Sequence, residues 1–268
     1  MPNGSLIQLV ALAEQNQVLT GDPDITFFKQ NYKRHSNFSI GYSKLVFNQE
    51  FGFDKVLSCQ IDRVGDLVSD MFLLIDMPAL NDSTQINSTN KNISNQNKNQ
   101  NFNIMWVDDL GHALLDSIEL KIGGQTIQKQ YGEFMEIWTE LSQNKSKELG
   151  FEQMIGNLPT TDGQKLIIPL NFFFCKNKSS SLPIIALQYH DVEVCINIKH
   201  LFKCVKKSNG DIIDMSDMAN IELSYQPEAQ LLVEYIHLDN VERTRIAQDK
   251  HEFLIEEVQF TGNYPVHN

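Results

Sequence analysis

The sequence lacks the residue patterns on which several classes of enzyme and metal protein depend. Its four cysteines include no Cys-x-x-Cys pair, so neither a zinc site nor a disulfide framework is indicated. No two of its seven histidines lie two residues apart, which removes the His-x-His pair of many β-fold metal enzymes. Gly-x-Ser-x-Gly, Gly-x-x-x-x-Gly-Lys and Gly-x-Gly-x-x-Gly motifs are missing as well. We therefore predict no enzyme activity, no catalytic residue, no metal ligand and no cofactor.

Positive charge is also scarce. The chain has 22 Lys and Arg against 34 Asp and Glu, a formal net charge of −12. Binding to nucleic acid needs clustered basic residues that replace the counterions of the phosphates. The one short basic cluster, Lys203 with Lys206 and Lys207, precedes Ser208-Asn209-Gly210 and is typical of a solvated turn. We therefore predict no direct contact with nucleic acid.

Long apolar runs and a secretory leader pattern are missing too. No window approaches the ~18 consecutive apolar residues of a membrane-spanning helix. The first residues lack the basic region, apolar stretch and cleavage site of a signal peptide. The four thiols are predicted to lie buried inside strands. They are Cys59, Cys175, Cys195 and Cys204.

What the sequence does contain is a series of strand patterns. Within residues 182–199, apolar Val192, Val194, Ile196 and Ile198 alternate with polar positions, which predicts a half-buried strand. Gly123-Gly124 is a two-residue hairpin signal. Further strands are predicted at 45–47, 56–61, 67–77, 118–122, 166–174 and 231–238. We predict an all-β fold, an eight-stranded jelly-roll β-sandwich with an N-terminal helical arm and short helical insertions.

Helical patterns are confined to two places. Ser5 with Gln8, and Asp22-Pro23-Asp24, are helix-start signals within an N-terminal helical arm at 1–36. Between strands, one amphipathic helix is predicted from apolar residues at helical spacing, with Trp138 expected in the core. These residues are Phe134, Ile137, Trp138 and Leu141.

The predicted order along the chain is an arm, a sandwich and a tail. The sandwich spans 37–240 and contains an Asn-rich loop at 81–103, whose nine asparagines leave too little apolar surface to order it. In the tail at 241–268, a linker leads to 253–260, which has the pattern of another strand.

Two alternative functional sites stay open. Asp76, Asp108 and Asp109 are conceivable as an acid pair, but their neighbours favour solvated carboxylates. Trp106, Trp138 and Tyr189 are conceivable as an aromatic platform for sugars, which would make the chain a carbohydrate-binding jelly-roll module on a virion or cell surface.

Several blocks resemble, in the same order, the major capsid proteins of large eukaryotic (nucleocytoplasmic) DNA viruses. The run Leu-Pro-x-x-Ala-Leu-Gln-Tyr-x-x-Val at 182–192 resembles one such block, and Leu-Thr-Gly-Asp-Pro-Asp-Ile-Thr-Phe-Phe-Lys at 19–29 resembles the family's N-terminal arm. Further similar blocks lie at 4–9, 32–38, 118–125, 138–141, 168–174, 234–243 and 251–255. The resemblance therefore runs along the whole chain.

The resemblance implies a structural role. It implies two tandem jelly rolls per subunit, three subunits per pseudo-hexagonal capsomer, and icosahedral packing of capsomers over an inner membrane. The expected partners are a homotrimer, neighbouring capsomers, and minor capsid proteins or the inner membrane layer, without a small-molecule substrate. The expected location is the virion, after assembly in the host cytoplasm. Since 241–268 resembles only the entry to the second jelly roll, we expect that domain to be missing or truncated, as in a fragment or a shortened paralogue.

Overall fold

The computed structural model describes residues 36–81, 104–157, 160–207, 221–253, 255 and 258–260. The predicted N-terminal arm (1–36) and the predicted Asn-rich loop (81–103) lie outside these ranges, apart from Ser36 and Asn81. Residues Ser39–Asn268 form one compact unit, to which the fold described below belongs.

Strands dominate the described ranges, and the prediction of an all-β fold with short helical insertions is confirmed. The strands are β1 (Phe38–Val46), β2 (Val56–Gln60), β3 (Leu67–Met77), β4 (Leu80–Asn81), β5 (Ile104–Trp106), β6 (Leu115–Ile122), β7 (Gln125–Tyr131), β8 (Gln164–Pro169), β9 (Val192–Ile198), β10 (Val205–Lys207), β11 (Glu222–Leu223) and β12 (Glu228–Leu238). The helices are α1 (Leu110–Ala113), α2 (Gly132–Ser142), α3 (Glu148–Ile155) and α4 (Asn240–Gln248), with 3-10 turns at Lys178–Ser180 and Leu201–Lys203.

Eight of the strands form two four-stranded sheets. Sheet A has the order β1-β12-β3-β8, and sheet B has the order β2-β9-β6-β7. The pairs β12–β3, β3–β8, β2–β9, β9–β6 and β6–β7 are all antiparallel. Apart from the β6–β7 hairpin, no neighbours within a sheet are consecutive along the chain, so the chain repeatedly passes from one sheet to the other.

The core lies between the inner faces of the two sheets. The strand period of two sends every second side chain inward, so Leu73 and Val233 of sheet A and Leu120 and Val194 of sheet B are fully buried. These side chains belong to one contiguous apolar cluster. The strand predicted from the alternation of residues 191–199 is therefore confirmed as β9.

The β6–β7 hairpin confirms the Gly123-Gly124 signal. Gly123 has φ +60° and Gly124 has φ +79°. A two-residue hairpin turn of type I′ needs positive φ at both central positions, a conformation that glycine adopts without strain.

The strand predicted at 166–174 is shorter in the structure. It ends at Pro169, at the edge of sheet A, where a missing backbone N–H is tolerated. Phe172 and Phe174 then lie in a turn, fully buried with their rings 5.7 Å apart. The run is apolar on all sides because its second half packs into the core as a turn.

The tail also differs from the prediction. Helix α4, which was not predicted, begins after Asp239, whose side chain accepts a hydrogen bond from the Asn240 N–H at 2.8 Å. No strand forms in the described part of 253–260. Instead, the ring of Phe253 packs 5.7 Å from Phe173, and the ring of Phe260 packs 5.1 Å from Tyr131. Phe253 and Phe260, two of the apolar residues that suggested a strand, therefore contact the sandwich directly.

Candidate interaction surface

The outer face of sheet B is polar. Glu119 of β6 pairs with Lys129 of β7 at 2.7 Å, and Lys121 lies 3.7 Å from the same carboxylate group. Asn197 Nδ2 of β9 donates to the Ser117 hydroxyl at 2.6 Å. Cross-strand ion pairs such as Glu119–Lys129 are typical of a sheet face in contact with water, whereas Ser117 on the same face is buried.

Much of the outer face of sheet A is apolar. Leu232 of β12 pairs in register with Phe72 of β3, and Phe72 with Pro169 of β8. One step along, Leu74 pairs with Ile167. Strand β1 adds Ile40, Tyr42 and Val46, all exposed, with Val46 74% exposed. We call these eight residues the sheet A face. An antiparallel sheet that is apolar on both sides is typical of one that is covered on both sides.

A charged cluster lies within the sheet A face. The Tyr42 hydroxyl donates to the buried carboxylate of Glu234, and the Lys178 ammonium donates to Glu234 and, at 2.7 Å, to Asp70. The pairing register between β12 and β3 shifts at Glu234, and Asp70 lies in β3 opposite this irregularity. Burial alone would raise the pKa of Glu234, but the hydrogen bonds from Lys178 and Tyr42 outweigh it and hold that pKa below its ordinary value. The cluster joins β1, β12, β3 and the segment after β8.

Removing the cation of this cluster is expected to destabilise the fold. Lys178→Met leaves the buried Glu234 carboxylate without its counterion, which we expect to lower the free energy of unfolding by about 2 kcal/mol, less than for a fully buried pair because Lys178 is half exposed. The pKa of Glu234 is lowered in the folded state. The ion pair therefore contributes its full stabilisation of the fold at pH values above the ordinary carboxyl pKa. This contribution is lost as the pH falls through the pKa that Glu234 has in the folded protein. The difference from the parent chain should therefore shrink in acid. Urea unfolding at about pH 7 and about pH 3 measures both effects.

A matched control exists on the same sheet. Lys165 is highly exposed and lies 3.7 Å from Asp76, so Lys165→Met should change stability by less than about 0.5 kcal/mol. Equal effects of the two substitutions at both pH values would contradict the role given to Lys178.

The three aromatic residues considered as a sugar platform lie in different environments. Trp106 is 0% exposed and its indole N–H donates to the Pro78 carbonyl at 3.2 Å. Trp138, expected in the core, is 41% exposed, while Tyr189 is 93% exposed. Because Trp106 is enclosed by the core, the three residues present no common platform.

The reason for the Trp138 error lies in the orientation of α2. This helix buries Gly132 and Met135, and the Glu136 carboxylate lies 2.5 Å from Nδ1 of the buried His112. The predicted stripe therefore faces largely outward. We call its three exposed members, Ile137, Trp138 and Leu141, the helical patch; Leu141 is 77% exposed.

The three acidic candidates do not form an acid pair. Tyr225 donates to Asp76 at 2.6 Å, and Lys206 pairs with Asp108 at 2.5 Å. Asp109 is only partly solvated, contrary to the expectation: burial, followed by the negative charges of Glu136 and Asp108, raises its pKa to about 6. Within the described ranges, no three His, Cys, Asp or Glu side chains are placed to hold a metal ion.

The thiols are unsuited to nucleophilic chemistry. Cys59 and Cys195 lie buried in strands as predicted. Cys204 is buried but lies outside a strand, and Cys175 lies outside a strand and is only partly buried. Burial raises the pKa of Cys59 to about 11 and those of Cys175 and Cys204 to about 12, so these three thiols stay protonated near neutral pH. Among the helices of the described residues, none combines the length and apolar composition of a membrane span.

Comparison with known proteins identifies relatives along most of the chain. The profile of the family described as "Major capsid protein N-terminus" matches residues 26–239. Capsid protein 1 of Acanthamoeba polyphaga mimivirus is 35% identical over 97% of this chain and 44% of its own length. The major capsid protein of Phaeocystis pouchetii virus is 34% identical over 98% of this chain and 54% of its own. The chain thus spans about half the length of these relatives.

A solved structure shows the same fold. The crystal structure of VP54 from the virus PBCV-1 superposes with a TM-score of 0.67 at 29% identity, covering 88% of this chain and 51% of that one. Because the superposition covers most of this chain, the jelly-roll fold expected from the sequence is shared with this structure.

Proposed function

Because this chain belongs to the family of major capsid proteins of large eukaryotic DNA viruses and matches their N-terminal part, we propose that it is a structural subunit of an icosahedral viral capsid. The resemblance read from the sequence blocks is confirmed by these matches. The observation that carries the proposal is the shared fold: two packed antiparallel sheets with the same architecture as a capsid protein.

In this proposal the eight strands of sheets A and B are the eight strands of one jelly roll. Support comes from the repeated passage of the chain between the two sheets, which winds the strands as a jelly roll requires. The other four strands form two short ladders, β10–β5 and β11–β4, outside the main sheets.

The subunit is proposed to act as part of a trimeric, pseudo-hexagonal capsomer in the virion, assembled in the host cytoplasm. Its partners are copies of itself, neighbouring capsomers, and minor capsid proteins or an inner membrane layer. The predicted arm at 1–36 is proposed to dock on a neighbour or on this inner layer, because its helix-start signals precede all of the predicted strands. No enzyme activity, cofactor or small-molecule substrate is part of the proposal.

The experiment has two readouts. The recombinant chain should sediment at three times its monomer mass, and negative-stain images should show threefold particles. Mass spectrometry of virions purified from infected cells should find the chain in the shell fraction at high copy number. A chain confined to infected-cell lysate, with none in purified particles, would contradict a capsid role.

The carbohydrate-binding alternative is weaker. It relied on Trp106, which has no surface to offer a sugar because it is fully buried. A glycan array on which the chain binds no sugar, together with trimer formation in solution, would leave the capsid role as the remaining function.

A further inference from the structure

A pair of carboxyl groups lies where the helices α1 and α2 meet. Asp109 directly precedes α1, and its side chain forms a hydrogen bond with the Glu136 side chain of α2. Glu136 also contacts Nδ1 of the buried His112, at 2.5 Å. Two carboxyl groups can share a hydrogen bond only if one of them holds a proton, since an ionised carboxylate can only accept.

We call residues 132–155, which contain α2, α3 and their connection, the helical insertion. We propose that a proton shared by Asp109 and Glu136 holds the helical insertion against α1, and that loss of this proton loosens it. The insertion is then firmer in mild acid than at neutral pH. This conformational response goes beyond the proposed capsid function and does not depend on it.

The surroundings of Asp109 disfavour its charged form. Its side chain is partly buried and lines a cavity of about 210 Å³ between the three helices. Burial, followed by the negative charges of Glu136 and Asp108, raises the pKa of Asp109 to about 6. Besides His112, the charged and titratable groups around it are mostly acidic. They are Asp108, Glu136, Glu140, Lys145, Glu148 and Glu152.

Few buried side chains hold the helical insertion in place. Helix α2 buries Gly132 and Met135, and α3 buries Ile155. Ile137 and Leu141 of the helical patch are 56% and 77% exposed, so they add little apolar burial. Segments with little apolar burial open locally at a low cost in free energy. A single titrating pair can therefore change how often this insertion opens.

Proton binding and closing of the insertion are linked with a definite sign. In the closed insertion the pKa of Asp109 is about 6, whereas in an open, hydrated insertion it returns toward the ordinary 3.8. Between these values the closed form keeps a proton that the open form releases, so a falling pH favours closing. Full linkage makes opening about tenfold more frequent at about pH 7.5 than at about pH 5. Because Asp109 is only partly buried, we expect about fivefold to tenfold.

Hydrogen exchange of the full chain, followed by mass spectrometry, measures this response. Protection is compared at about pH 5 and about pH 7.5 after correction for the intrinsic exchange rate at each pH. Peptides from the helical insertion should lose about fivefold to tenfold of their protection at the higher pH, whereas peptides from β3 and β9 should not. Carbon-13 NMR of the Asp109 carboxyl carbon should show a titration midpoint near 6.

Asp109→Asn imitates the protonated pair. Asp109 has a left-handed backbone with φ 50° and ψ 43°, which asparagine tolerates better than most residues. Its amide donates to Glu136 as a protonated carboxyl group does, without a charge. The variant should keep, at about pH 7.5, the protection that the parent chain shows at about pH 5. Glu136→Gln, which also removes one charge of the pair, should flatten the response in the same way.

Asp108→Asn is the matched control. Asp108 is the adjacent carboxylate, but it is exposed and pairs with Lys206 at 2.5 Å, so its removal should leave most of the pH response. A response that persists in full in Asp109→Asn would assign it to His112 and overturn the inference. Equal protection of the parent insertion at both pH values, or an Asp109 midpoint near 3.8, overturns it as well. None of these outcomes bears on the presence of the chain in virions, which tests the proposed function separately.

Discussion

Val194→Asp is expected to yield no folded protein. Val194 is fully buried in β9, in the middle of sheet B, where it pairs in register with Cys59 on one side and Leu120 on the other. A carboxyl group there has no hydrogen-bond partner and no route to water, so the cost should exceed about 5 kcal/mol, which approaches the whole stability of an ordinary domain. The yield of monodisperse protein and near-ultraviolet circular dichroism measure the effect.

The adjacent position supplies the control. Glu193 lies on the same strand but on the polar outer face of sheet B, so Glu193→Gln should leave the free energy of unfolding within about 0.5 kcal/mol of the parent value. Ile196→Asp, at another fully buried position of β9, should repeat the effect of Val194→Asp. Assembly-competent protein from either core variant would show that the inner face of β9 is not packed as described.

Gly132→Ala is expected to destabilise the fold by at least about 3 kcal/mol, at or above the upper range for overpacking. Gly132 lies where β7 ends and α2 begins, and a methyl group there would collide with the backbone carbonyl oxygens of His112 and Leu115. Backbone atoms cannot rotate away as a flexible side chain can, so α2 would have to move from β6. Urea unfolding measures the loss.

Gly150→Ala is the matched substitution in the neighbouring helix. Gly150 lies inside α3 with no heavy atom near its added methyl group, so alanine should stabilise the protein by ~0.5–1 kcal/mol through its higher helix propensity. A Gly132→Ala protein as stable as the Gly150→Ala protein would mean that α2 does not approach β6 closely.

Structure was predicted most accurately from the sequence where a single local pattern determines the backbone conformation. Strand β3 was predicted with the bounds that the structure has, because its apolar alternation is long and Pro78 follows it directly. The hairpin at Gly123-Gly124 depends only on backbone freedom at two positions, so it too could be predicted.

The errors arose where tertiary contacts override a local pattern. The stripe through Trp138 has helical spacing, yet the inward side of α2 is chosen by the close approach of Gly132 and by the bond of Glu136 to the buried His112. His112, and the backbone carbonyl groups that Gly132 approaches, are not neighbours of α2 in the sequence. The apolar run at 166–174 was predicted as one strand, but only its first part is a strand and its second part is a buried turn. A buried turn is as apolar as a buried strand, so the sequence pattern does not distinguish them.

The charged cluster on sheet A could not have been predicted at all. Its members Tyr42, Asp70, Lys178 and Glu234 are spread over almost the whole described chain. The local signals were two acidic residues within apolar runs, Asp70 in β3 and Glu234 in β12, and neither by itself indicates a partner.

The strand order of sheet A bears on how the chain folds during synthesis. Strand β1 pairs with β12, and about 190 residues separate them, so the ladder between them cannot form before β12 has been synthesised. Contacts between such distant segments close large loops, and proteins dominated by them fold in milliseconds to seconds. Until the ribosome has released β12, the open edges of β1 and β3 can pair with the same strands of other nascent chains. Slow pairing of β1 with β12 therefore prolongs the time during which incomplete chains are open to aggregation.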